Sequence, residues 1–152
     1  MDIFSSKKRS AIMASIRGKG TAPEKAIARI LRPLGVNYRS HPRFLPGTPD
    51  FVLKDQRKVI FVHGCFWHQH CRCAAGRLPK SNVRFWRTKL QDNIRRDSRA
   101  VRRLRRLGYG VITIWECELS KPEALLKRLQ RSTHDRHSKA SDPSENSRIK
   151  NA

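Results

Sequence analysis

"PDFVLKDQRKVIFVHGCFWHQHCRC", residues 49–73, decides the fold. Two apolar runs, 50–53 and 59–63, flank the polar turn "KDQRK", which is the pattern of a β-hairpin. The second run passes directly into a loop that holds Cys65, His68, His70, Cys71 and Cys73. One short segment therefore supplies both a sheet edge and most of the chain's chemically active side chains.

Upstream, "TAPEKAIARIL" (21–31) carries the start signal of a helix. Thr21 is the N-cap, Glu24 the returning half of a capping box, and Ile27, Ile30, Leu31 and Leu34 recur at helical spacing until Pro33 and Gly35 end the run. A short strand is expected over 36–39, then the proline-rich loop "SHPRFLPGTP". Downstream, a helix is expected from about 82 to 107, with Trp86, Leu90, Ile94, Val101 and Leu104 on one face and Gly108 as its stop. "YGVITIW" (109–115) reads as a buried strand that delivers Glu116 and Cys117, and 121–130 as a closing helix. This order predicts an α/β fold, a mixed sheet flanked by helices, over residues 21–130. Residues 1–20 read as a basic N-terminal arm and 131–152 as a polar, disordered tail.

Lys and Arg number 34 against 12 Asp and Glu, a formal charge of +22 that calls for a polyanionic partner, nucleic acid first. No apolar run approaches the roughly 18 residues of a membrane span, and the N-terminus lacks a signal-peptide core. A soluble intracellular protein is expected, cytoplasmic and nucleoid-associated, acting as a monomer.

Cys65, His70 and Cys73 lie at close-range ligand spacing, and Cys117 supplies a fourth ligand from another strand end. A closed Cys3His set leaves no position for water or substrate, so the zinc it would hold is structural. Cys71 competes with Cys73, and spacing does not choose between them.

Asp50 heads an apolar strand after Pro-Gly-Thr-Pro, where a carboxylate is held rigidly enough to bind Mg²⁺ beside a phosphate; the plainer reading is a turn cap. His68 returns to the same edge and suits proton transfer, or is an alternative zinc ligand. Glu24 serves the capping box, yet its helix start could face Asp50. Phe66 and Trp67 read either as exposed aromatics that insert between bases or as a small core over the zinc.

At "GTPDFVL", "VIFVHGCFWHQH", "LPKSNVRFW" and "ITIWEC" the sequence resembles the very short patch repair DNA mismatch endonucleases, over residues 4–130. The resemblance implies a restriction-endonuclease-like fold and a Mg²⁺-dependent enzyme that nicks DNA 5′ to the T of a T·G mismatch left by 5-methylcytosine deamination. It implies Asp50 and the Val62 backbone carbonyl as Mg²⁺ ligands, His68 as the catalytic histidine, and Glu24 as organiser of metal-bound water. His63 matches a second active-site histidine, Cys65, His70, Cys73 and Cys117 the zinc site, and Met13, Phe66 and Trp67 the wedge beside the mismatch. Valine stands at 62 where some members carry threonine, which a backbone contact tolerates. Mismatch-repair proteins are a further class of partner. The rival from another class is a non-catalytic, zinc-stabilised DNA-binding module; an RNA-binding platform built on Phe66 and Trp67 would instead prefer single strands.

Overall fold

The computed structural model describes residues 19–70 and 73–134. Helix α1 (Ala22–Leu31) is followed by strands β1 (Tyr38–Ser40), β2 (Phe51–Leu53) and β3 (Lys58–His63), helix α2 (Val83–Arg106), strand β4 (Gly110–Trp115) and helix α3 (Pro122–His134). The capping box forms as expected, Thr21 accepting from the Glu24 amide and Glu24 from the Thr21 amide.

The four strands lie in the order β1-β2-β3-β4. β1 with β2 and β2 with β3 are antiparallel, the latter with Phe51 opposite Ile60, while β3 and β4 run parallel with His63 beside Trp115. A parallel pair needs a crossover, and α2 is that crossover. The first strand falls at 38–40, starting two residues and ending one residue later than the 36–39 expected from "VNYR".

Period-2 alternation sends the strands' side chains to two cores. Phe51, Leu53, Ile60, Ile112 and Ile114 meet Ile27 and Leu31 of α1 and Leu125 and Leu129 of α3. On the opposite face Val52, Val59 and Phe61 meet Leu104 of α2 and Leu45 of the loop before β2. With helices on both faces, every residue of β2 is buried. Gly47 lets that loop lean on α2: its φ is +75°, and a Cβ there would stand 2.5 Å from that of Ala100.

Two expectations need correcting. Ile94, expected on the buried face of α2, is 41% exposed. The inner stripe of the helix runs Trp86, Leu90, Asn93, Asp97, Ala100, Leu104, so its middle is polar and Ile94 lies beside it. The closing helix also continues past 130 to His134, where the Lys58 ammonium bonds the Ser132 carbonyl. Among the described residues no helix is long and apolar enough to cross a membrane.

Candidate active site and metal centre

Because β2 starts where β3 ends, Asp50 lies beside the C-terminal edge of the parallel pair, next to the loop after His63. Three groups of ligand-type side chains form there, each with its donor atoms within 4.8 Å of one another: Cys65, His70, Cys73 and Cys117; His63, His68 and Asp97; Glu24, His41 and Asp50.

In the first, His70 Nδ1 lies 3.7 Å from Cys65 Sγ and 3.2 Å from Cys117 Sγ. Zn–S bonds of about 2.3 Å in a tetrahedron give donor separations near 3.8 Å, so the set fits zinc. Without a cation the thiols ionise unequally: burial first, then the neighbouring Cys73 and Cys117 thiols, push Cys65 up to about 12, whereas burial works to raise Cys73 but hydrogen bonds from Cys65, the Gly76 and Ala75 backbone and Cys117 hold it below the usual thiol range. The loop is braced by Gln69, whose amide donates to the carbonyls of Phe66 (3.1 Å) and Gly76 (3.0 Å). Gly76 is obligatory there, since a Cβ would stand 2.4 Å from the His70 carbonyl oxygen. Cys71, the competing ligand, lies outside the described residues, as do Met13 and most of the basic arm.

In the second, His63 and His68 stack with centroids 3.8 Å apart, and Asp97 accepts a 2.5 Å hydrogen bond at His68 Nδ1. Burial and the facing His68 pull His63 down to about 4, against the opposing charge of Asp97, so His63 is neutral at physiological pH. Burial works to raise Asp97, but its bond to His68 and the nearby positive charges hold it below the usual carboxylate range.

In the third, Asp50 Oδ2 accepts the Val62 amide N–H at 2.7 Å. Burial drives Asp50 up to about 6, Glu24 adding to the rise while the Val62 N–H, His41 and His68 oppose it. A half-buried carboxylate that resists ionisation beside a buried second one is a cation site in waiting, so the donor set fits a divalent metal. Glu24 is itself buried, its Oε2 accepting from Gly20 N at 2.9 Å and lying 3.1 Å from His41 Nε2.

Phe66 and Trp67 are half-buried and pack with Trp86 at the start of α2, the three rings 5.2–6.1 Å apart. Asn93 of the same helix donates to the Trp67 carbonyl at 3.1 Å.

Sequence reasoning brought Glu24, Asp50, His63, His68 and the zinc-type set to this edge but passed over His41 and Asp97. Nothing adjacent in sequence sets Asp97 apart from the other charges of a basic helix. Its signal was the inner stripe of α2, where an aspartate and an asparagine interrupt apolar positions at 3–4 residue spacing. His41 sat unremarked in a proline-rich loop.

A family model described as DNA mismatch endonuclease Vsr matches residues 1–74. The chain is 44% identical over 129 residues to the type II nicking enzyme V.XorIIP of Xanthomonas oryzae pv. oryzae, covering 85% of this chain and 94% of that protein. It is 41% identical over 130 residues to the type II nicking enzyme V.NmeAIP of Neisseria meningitidis serogroup A, covering 86% and 92%. It is 40% identical over 134 residues to the DNA mismatch endonuclease Vsr of Escherichia coli, covering 85% of each. With its restriction-endonuclease-like mixed sheet flanked by helices, the chain belongs to the Vsr DNA mismatch endonuclease family.

Proposed function

We propose that this protein is a Mg²⁺-dependent endonuclease that nicks double-stranded DNA 5′ to the T of a T·G mismatch. The observation that carries the reading is the His68–Asp97 pair at 2.5 Å, stacked against a neutral His63 and near the half-buried Asp50. It is a proton acceptor oriented by a carboxylate beside a cation site, a constellation suited to phosphodiester hydrolysis.

Asp50 and the Val62 carbonyl would hold the Mg²⁺, with Glu24 ordering water around it. Bound there, the cation supplies positive charge to the scissile phosphate and the leaving 3′-oxygen. His68 donates Nδ1–H to Asp97, which leaves Nε2 to take the proton of the attacking water; Asp97 then stabilises the imidazolium. His63, already neutral, stacks on that ring and limits its rotation. Cys65, His70, Cys73 and Cys117 would hold zinc and fix the loop that carries His68.

Phe66 and Trp67, with Met13 of the arm, would form the wedge at the mismatch. Unstacking a step costs a few kcal/mol, least at a weak pair, which favours a T·G wobble over a matched pair. The Trp86 contact backs the wedge with a fixed aromatic floor. Arginines on the outer face of α2 would meet phosphates and add affinity without sequence information.

The test is nicking of an end-labelled duplex carrying one T·G mismatch in a C-T-(A/T)-G-G-type context, beside its matched counterpart. A nick 5′ to the mismatched T that needs Mg²⁺ and is lost in Asp50→Ala is expected. Equal cutting of both duplexes would remove the mismatch specificity. Tight binding without cutting, across a panel of flanking sequences, would leave the non-catalytic zinc module.

A further inference from the structure

We propose that His41 is a direct nitrogen ligand, through Nδ1, of the cation held at Asp50, with Glu24 fixing the imidazole from its far side. This inference rests on the reading of Asp50 as a metal ligand and assigns a further donor to the same site.

The hydrogen bonds around the three side chains carry it. Glu24 Oε1 accepts from the Thr21 hydroxyl at 2.8 Å, and Oε2 accepts from Gly20 N at 2.9 Å while facing His41 Nε2 at 3.1 Å. A carboxylate only accepts, so a neutral imidazole in this position carries its proton on Nε2 and presents a bare lone pair at Nδ1. That atom is 3.9 Å from Asp50 Oδ1, too far for a hydrogen bond. Asp50 cannot close the gap by rotating without losing the 2.7 Å bond that Val62 N–H makes to its other oxygen. Metal–donor bonds of about 2.1 Å each reach across up to roughly 4.2 Å, so a single ion touches both atoms. Carboxylate, imidazole and metal then stand in line, the arrangement by which proteins orient a ligating histidine.

The backbone holds the ring there. His41 has φ +47°, a left-handed conformation that side chains rarely adopt, and its amide donates to the Asp50 carbonyl at 3.0 Å. Buried Pro42 comes next in the chain. The three side chains therefore come from a helix start, a strand end and a strand start, and the His41 amide ties the last two together. An imidazole donor favours first-row transition ions over Mg²⁺. The site accordingly takes Mn²⁺ more tightly than an all-oxygen site of the same charge would.

Pulsed electron paramagnetic resonance of Mn²⁺ added to the zinc-loaded, full-length protein detects a bound nitrogen directly through its ¹⁴N coupling. The coupling is expected in the native protein and in His63→Gln and His68→Gln, and lost in His41→Gln. That variant should keep its zinc and bind Mn²⁺ on the order of tenfold more weakly. Coupling that survives in His41→Gln, or is absent from the native protein while Asp50→Asn still abolishes Mn²⁺ binding, overturns the inference and leaves Asp50 as a ligand. Mn²⁺ binding indifferent to Asp50→Asn overturns both.

Discussion

Replacing Asp50 with asparagine should make the Mg²⁺-free protein more stable while abolishing its nicking. The carboxyl rises from 3.8 to about 6, mainly because burial disfavours its charged form. Each unit is worth about 1.4 kcal/mol, so about 2 units set a ceiling of about 3 kcal/mol on the cost of keeping Asp50 ionised. The side chain is 18% exposed, and partial solvation brings the expected gain of the neutral isostere to about 2 kcal/mol. That corresponds to roughly 4–8 °C in Tm for a domain of this size. The sign is set by proton uptake. Between pH 3.8 and about 6 the folded chain binds more protons at this position than the unfolded one, so native stability falls as pH rises through that window. The advantage of Asp50→Asn is therefore full above the window and shrinks to about 1 kcal/mol or less near pH 4.5. Thermal unfolding of both zinc-loaded proteins without Mg²⁺, at pH 7.5 and near pH 4.5, gives the two differences, and acid effects on the shared zinc site cancel. Saturating Mg²⁺ should then stabilise the native protein and not the variant. An asparagine variant less stable than the native protein at pH 7.5, or an advantage unchanged by pH, would refute the assignment of Asp50 as a strained, cation-seeking carboxylate.

Asp97→Asn should lower kcat by about 10²–10⁴ while leaving affinity for mismatched duplex unchanged, because the wrong hydrogen-bonding partner releases His68 from its tautomer; single-turnover nicking beside a binding titration checks this. Cys117→Ser should lose stoichiometric zinc, read by metal analysis, and melt well below the native protein, since zinc binding is folding energy for such a loop. Leu104→Ala should cost about 3–5 kcal/mol in urea unfolding, because Leu104 is wholly buried in the core between α2 and the sheet. Nicking per folded molecule should persist.

Residues whose partners are near in sequence were legible from it. The Thr21–Glu24 capping box, the hairpin around "KDQRK" and the loop ligands of the zinc-type cluster all declare themselves within a few positions. Cys117 was legible despite its distance because a buried strand delivers the next residues of the chain to the sheet's edge. Asp97 was not, because its pairing with His68 across 29 residues depends on which way α2 is rolled on the sheet. The roll is set by Trp86, Leu90, Ala100 and Leu104 together. His41 was hidden for a different reason. Only a positive φ aims it at Asp50, and a histidine's identity does not announce that conformation. The choice between wedge and small core for Phe66 and Trp67 assumed exclusive alternatives, whereas both rings are half-buried on Trp86.

Trp115 stacks on His70 at 4.3 Å with its ring nearly parallel, and meets His63 edge-on at 5.4 Å. It is one of only three tryptophans in the chain, and the other two, Trp67 and Trp86, touch each other in the aromatic cluster beside it. The protein's intrinsic tryptophan fluorescence therefore comes entirely from this one end of the sheet. One indole reports on the imidazole of the zinc-type cluster and two report on the proposed wedge beside it. Metal loading and substrate engagement can thus be followed in the unlabelled protein, with no distant indole to dilute the signal.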